Sequence, residues 1–309
     1  GFIDPSELES LLKAYNTDNK HGLKRIRLIT ISAASNVLGA CNDLQAIGEM
    51  AKRYGVQLMV DAAQLIAHRP VDMKAWNIDC LAFSAHKVYA PFGCGVLILK
   101  KGMLNMKQEE MEQINTLGDE NAGGIAALGK ALLLLRNIGY DQIDAEEKQL
   151  TVKALQKLAT IKNLKVFGID DPDSPRFDRK IGVIVFDLKN KMAGRIADKL
   201  AHNKGIGIRY GCHCAHLIIK HLLDFTPFQE KFQRFVLKLI PIINLQGIAR
   251  VSVGIQNTET DLDPLIEELN SISGNGQQTT DVQFTKKETL RQINEFINKR
   301  ELFVFGQQV

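Results

Sequence analysis

The sequence predicts an α/β fold: a larger N-terminal part with a mainly parallel sheet, then a smaller C-terminal α/β domain. Three observations carry this. Short apolar runs at residues 26–31, 56–60 and 80–83 are bounded by turn residues, as the buried strands of a parallel sheet are. Helical spacing fills the intervals, at 44–54 and then at 122–137 and 141–160. A polar stretch with two prolines, Asp170-Asp171-Pro172-Asp173-Ser174-Pro175, precedes a second set of strand and helix patterns.

The elements follow in order. Asp4-Pro5-Ser6-Glu7 starts a helix, with an N-cap acid and Pro at the first helical position. The run 26–31 is a strand that ends in Ala34-Ser35-Asn36-Val37-Leu38-Gly39, a loop sequence rich in turn formers. Residues 44–54 form an amphipathic helix, and the strand at 56–60 follows. A short charged segment leads from Lys100 to Thr116-Leu117-Gly118-Asp119. The Ala- and Leu-rich stretch 122–137 and the charged helix 141–160 are scaffold. Beyond the proline loop come a strand at 181–186, a helix at 192–202, a strand at 206–209, an amphipathic stretch at 228–243 and a helix at 258–272. A Gly/Asn/Gln/Thr linker at 274–280 and a helix at 286–299 close the chain, giving divisions at 1–160, 161–273 and 274–309.

Composition narrows the function. With 309 residues, 45% hydrophobic and 24% charged, this is an ordinary globular chain with room for a large core. A net charge of +4 without a basic arm argues against nucleic acid as a partner. No apolar run reaches membrane-spanning length, so no membrane partner is expected. The five cysteines, Cys41, Cys80, Cys94, Cys212 and Cys214, are scattered, which fits a reducing, cytoplasmic setting better than a disulfide framework.

The chemistry concentrates between residues 56 and 100. One apolar run ends on Asp61, with Gln64 three residues on; the next ends in Ser84-Ala85-His86-Lys87. Polar groups at the carboxyl ends of such strands line the crevices where α/β sheets build sites. A lysine can hold pyridoxal phosphate as a Schiff base while a carboxylate keeps the pyridine nitrogen protonated. Taken singly, Asp61 and Lys87 read as a buried ion pair and a surface lysine; the ordered set reads as a site. A second cluster, Arg209-Tyr210-Gly211-Cys212-His213-Cys214-Ala215-His216, suggests metal at first sight. Its spacing is too tight for a C-x-x-C centre and there is no second cysteine pair, so no metal is expected. Arg250, within a β-rich segment, suits a carboxylate, which a guanidinium grips through two parallel hydrogen bonds.

The stretches VDAAQ around Asp61, SAHK ending at Lys87, SNVLG around Asn36 and the order Arg209, Gly211, His213, Cys214, Ala215 resemble the class V aminotransferase family. The resemblance is particularly to its cysteine desulfurase and selenocysteine lyase branch. The resemblance implies a fold-type I pyridoxal phosphate enzyme and a homodimer. Lys87 would carry the cofactor, Asp61 face its ring nitrogen, and Gln64 its phenolic oxygen. Ser84 and His86 would contact the phosphate, and Asn36 would lie near cofactor and substrate. Arg250, with Arg209, would bind a small amino-acid substrate. Cys214, beside Arg209 and a helix start that favour a thiolate, would take sulfur or selenium from it for passage to an acceptor protein. An ordinary buried cysteine is the other reading of Cys214, and a transaminase, an epimerase or a non-catalytic fragment the other readings of the chain.

Three departures stand out. Many relatives have a phosphate-binding threonine where this chain has Asp119, a poor phosphate ligand because like charges repel. Cys212 has no assigned role. The match also begins in the middle of the family's large domain, which implies further cofactor-binding residues upstream of Gly1.

Overall fold

The structure, a computed structural model, describes residues 1–104, 106–116, 120–223 and 248–274. Asp119, the amphipathic stretch at 228–243 and the helix expected at 286–299 lie outside them. Gly1–Ser273 form one unit, in which the described strands make two sheets.

The first sheet has the order β1 (Leu28–Ser32), β2 (Gln57–Asp61), β3 (Cys80–Ser84), β4 (Gly95–Leu99). β1 and β2 pair in parallel, as do β2 and β3, whereas β4 returns antiparallel to β3. Alternation along β2 explains its seat: Leu58 and Val60 are fully buried while Gln57 and Asp61 are exposed. Helix α1 (Pro5–Asn16) starts where Asp4 accepts hydrogen bonds from the amides of Ser6 and Glu7. Helix α2 (Leu44–Arg53) buries Leu44, Ile47, Met50 and Ala51 on one face. The charged segment after Lys100 contains a further helix, α3 (Gln108–Thr116). Its high charge and lack of an apolar stripe conceal it in the sequence.

Helices α4 (Ala122–Ile138) and α5 (Tyr140–Ala159) join the halves. α5 sends Ile143 into the core under the first sheet and Ala154, Leu155 and Leu158 into the core of the second. No single described helix is long and apolar enough to cross a membrane; α4 and α5 pass that test only together, and they bend by 77°.

The second sheet runs β5 (Leu164–Phe167), β6 (Val183–Leu188), β8 (Ile248–Ser252), β7 (Arg209–Gly211), antiparallel throughout. Helices α6 (Ala193–Lys204) and α8 (Leu262–Ser273) cover it, and α7 (His216–Leu222) follows β7. The strand expected at 206–209 is displaced: Ile206 and Ile208 pack as half-buried side chains, and ladder pairing begins at Arg209. The apolar pair marks burial, while the hydrogen-bonding partner across the sheet is set by β8.

Two features fix the loop that follows β1. Gly39 has φ +68, and a Cβ there would lie 2.9 Å from the carbonyl oxygens of Ile181 and Val183. Only glycine allows both that backbone and that approach. Beside it Lys180, 2% exposed, donates to the carbonyls of Leu38 (3.3 Å) and Val183 (3.0 Å). Burial pushes its ammonium down to about 8. A second polar seam ties the β2 exit to α5: His68 pairs with Glu147, and Arg69 with Asp144 at 2.8 Å.

Candidate active site

The first sheet presents one group of predicted residues at the carboxyl ends of its strands. Register sets Asp61 beside Ser32 of β1 and Ala82 of β3. Its exposed carboxylate accepts from the Ala63 amide at 2.9 Å, which orients it at the strand end. Gln64 lies in the turn after β2, and its side-chain carbonyl oxygen is buried without a hydrogen-bond partner. Ser84 ends β3 and begins the 3-10 turn Ala85–Val88, on which His86 is exposed and Lys87 half-buried. Tyr89, left-handed at φ 67, closes that turn. Its hydroxyl accepts the Ile255 amide at 3.2 Å, fastening the lysine turn to the chain just after β8.

The second sheet supplies the other group. Arg209 and Arg250 face each other across the antiparallel pair of β7 and β8. Burial, and then the neighbouring Arg209, lowers the Arg250 pKa. Its Nη1 donates to the Asn36 carbonyl at 2.8 Å, and its Nε is buried without a partner. The Asn36 side-chain amide in turn donates to the His213 carbonyl at 2.7 Å. His213 is buried, and its Nε2 lies 3.0 Å from the Ile248 carbonyl. A carbonyl only accepts, so Nε2 carries the proton. Burial dominates in keeping this ring towards its neutral form.

Charges from the second group act on Lys87 of the first. Burial lowers its pKa most, followed by the charges of Arg250 and Arg209, with Cys214 acting in the opposite sense. A lysine, two arginines and a cysteine widely separated in sequence thus share one electrostatic neighbourhood. Cys214 itself is exposed and Cys212 half-buried. Both belong to a tight turn in which the Ala215 amide donates to the Cys212 carbonyl at 2.8 Å. The helix that follows, α7, has only seven residues.

Register sets Asp61 on the strand beside the one that leads to Lys87, with Gln64 in the turn that follows; neither makes a hydrogen bond to Lys87, Arg209 or Arg250 among the described residues. Sequence reasoning missed Tyr89 and the anchoring part played by His213. A tyrosine two places after a lysine carries no local signal for a partner 166 residues away. His213 was visible in the motif, but its burial was not.

The donor set fits pyridoxal phosphate. A carboxamide with an unpaired buried end, an open carboxylate at a strand terminus and a half-buried amine with a depressed pKa are the complements of a phenolic oxygen, a pyridinium and an aldehyde. A half-turn of the Gln64 amide presents either a donor or an acceptor.

Comparison with known proteins agrees. The cysteine desulfurase of Escherichia coli O127:H6 (strain E2348/69 / EPEC) is 30% identical over 273 residues, covering 81% of this chain and 59% of that protein. The apo structure of the cysteine desulfurase from Thermococcus onnurineus NA1 superposes with a TM-score of 0.67 at 22% identity, over 88% of this chain and 64% of that one. The cysteine desulfurase CsdA (S-sulfonic acid) from Escherichia coli gives 0.62 at 25% identity, over 82% and 61%. The chain therefore spans about 59% of the length of the curated relatives it matches. The model of the family described as aminotransferase class-V matches residues 11–265, and with the α/β fold above it establishes that this chain belongs to that family.

Proposed function

We propose that the chain acts as a pyridoxal phosphate-dependent cysteine desulfurase, taking sulfur from cysteine to leave alanine and a persulfide on Cys214. The observation that carries this reading is the shared neighbourhood of Lys87, Cys214, Arg209 and Arg250. An amine, a thiol and an anion-binding pair are the three groups needed to hold an amino acid, move its α-proton and receive its sulfur.

Pyridoxal phosphate, when bound, supplies a ring that accepts the electron pair left on the substrate's α-carbon. Lys87 would hold it covalently, Asp61 would keep a proton on its ring nitrogen, and Gln64 would face its phenolic oxygen. Ser84 and His86 would hold the phosphate. Arg250, with Arg209, grips the substrate carboxylate through a planar fork of donors. With its amine free, Lys87 would act as general base on the α-proton, a role its depressed pKa suits. Cys214 attacks the substrate sulfur from its exposed turn. Asn36 serves this arrangement by holding the turn. The same groups accommodate selenocysteine. In this reading the enzyme is a cytoplasmic homodimer that passes sulfur to an acceptor protein, with residues 1–160 carrying the cofactor and 161–273 the cysteine turn.

The test is to supply the chain with pyridoxal phosphate and cysteine, then to measure alanine and protein-bound sulfur. Alanine formation that disappears in both Lys87→Ala and Cys214→Ser is expected. Transfer of the amino group to a keto acid without sulfur release would replace this reading with a transaminase.

A further inference from the structure

Cys212 is the one residue of the cysteine turn that the reaction above leaves without a task, and the geometry gives it one. The turn Cys212–Ala215 closes by a first-to-fourth backbone bond of 2.8 Å. Its two central residues, His213 (φ 49) and Cys214 (φ 59), are both left-handed. That is the pattern of a type I′ turn, which normally selects Gly or Asn at these places. Cys212 and Cys214 are therefore its first and third residues. Two Cα steps of about 3.8 Å bent through a left-handed residue leave roughly 5–6 Å between their Cα atoms. A disulfide spans about 4.4–6.8 Å.

The turn is held in this form from inside. The His213 ring is fixed to the Ile248 carbonyl and its own carbonyl to Asn36, so the residue between the two cysteines is anchored from both its side chain and its backbone. The thiols also differ in setting. Cys214 is exposed and acts on the Lys87 charge, whereas Cys212 is half-buried and has no part among the causes acting on that lysine.

We propose that Cys212 resolves the persulfide formed on Cys214. This rests on the desulfurase reading for the source of the sulfur. The Cys212 thiolate attacks Cys214 Sγ, forming a bond between the two protein sulfurs. The bond from Cys214 Sγ to the outer sulfur breaks, and the electron pair leaves with that sulfur as hydrosulfide, which takes up the proton lost by Cys212. The outer sulfur is reduced and Cys212 is oxidised to the disulfide level that Cys214 Sγ already holds in the persulfide, so no external oxidant enters. A dithiol reductant then reopens the ring for the next cycle. Attack within one turn benefits from a high effective concentration of the second thiol, and the chain would release sulfide whenever no acceptor protein takes the sulfur from Cys214 first.

The experiment loads the full chain with inorganic polysulfide under anaerobic conditions, bypassing cofactor and substrate. Alkylation, peptide mapping and sulfide measurement follow over time. The unmodified chain should give a peptide two hydrogens lighter, with Cys212 joined to Cys214, and release sulfide. Cys212→Ser and Cys212→Ala should instead keep a peptide one sulfur heavier at Cys214, with a lifetime at least about tenfold longer; the two variants together guard against one that folds poorly. A Cys214 persulfide that lasts equally long with Cys212 present would overturn the proposal, as would sulfur resting on Cys212 or no loading of Cys214. Alanine production from cysteine is followed separately. Alanine with a lasting Cys214 persulfide defeats this proposal alone, and a polysulfide-driven disulfide without alanine defeats the desulfurase reading alone.

Discussion

The side-chain amide of Asn36 donates to the backbone carbonyl of His213 at 2.7 Å, across a sequence separation of 177 residues. The loop leaving β1 therefore sets the position of the turn that carries Cys214. Asn36→Ala should remove one partly buried hydrogen bond, worth about 1 kcal/mol. Hydrogen exchange at the amides of residues 212–215 is expected to speed up about fivefold, with little change in β2 or β3. Uniform acceleration through the chain would show that Asn36 supports the fold at large instead.

Lys87 should titrate below exposed lysines, because burial and the two arginines disfavour its charged form. Reductive methylation with formaldehyde, read residue by residue against pH, should show Lys87 reacting at lower pH than Lys100 or Lys101. Arg250→Met removes a cation, so the Lys87 midpoint should move upward. A midpoint unaffected by Arg250→Met would separate the two residues electrostatically.

Thiol labelling should rank the cysteines by setting. Cys214 is exposed, while Cys41 and Cys80 are buried, and burial pushes the Cys41 thiol up to about 11. Iodoacetamide at pH 8 is expected to modify Cys214 first and to reach Cys41 and Cys80 only on unfolding. Early labelling of Cys41 would mean that the β1 exit opens readily.

Lys180 makes stability depend on pH. Its folded pKa of about 8 lies below the unfolded value of 10.5, so between these values the unfolded chain keeps a proton that the folded chain has released. Stability therefore rises with pH through that window, and the desolvation penalty is full below it. From pH 7 to pH 10 the unmodified chain should gain about 2 kcal/mol relative to Lys180→Met in chemical denaturation. An unchanged difference between the two proteins would mean that Lys180 remains protonated in the folded state.

The sequence made the strand ends of this candidate site easier to read than the architecture around them. β2 ending on Asp61 and β3 leading into Lys87 were legible because local apolar runs and turn residues fall together there. β5 was not: Leu164–Phe167 is four residues long and follows a left-handed Asn163, too short a span for alternation to speak. The shift of β7 from 206–209 to Arg209–Gly211 has a different origin. Apolar pattern reports which side chains are buried, whereas strand limits depend on a partner about 40 residues away in sequence. Asn36 was read from motif resemblance as a neighbour of cofactor and substrate. Its bonds to His213 and Arg250 depend on tertiary contacts that no local pattern encodes.

The register of β7 and β8 places Arg209 opposite Arg250, and like charges directly opposed in a sheet are destabilising. In the language of linkage, the folded chain holds an unfavourable term that an anion relieves, so affinity and stability draw on the same free energy. A carboxylate ligand present at one hundred times its Kd adds about 2.7 kcal/mol to the folded state. Replacing Arg209 with a neutral residue should raise the resistance of the free chain to unfolding and weaken any response to carboxylates, whereas replacing Arg250 also forfeits its bond to the Asn36 carbonyl. In the desulfurase reading a carboxylate bound between the two arginines would offset their repulsion, so ligand and fold would be coupled through these two side chains.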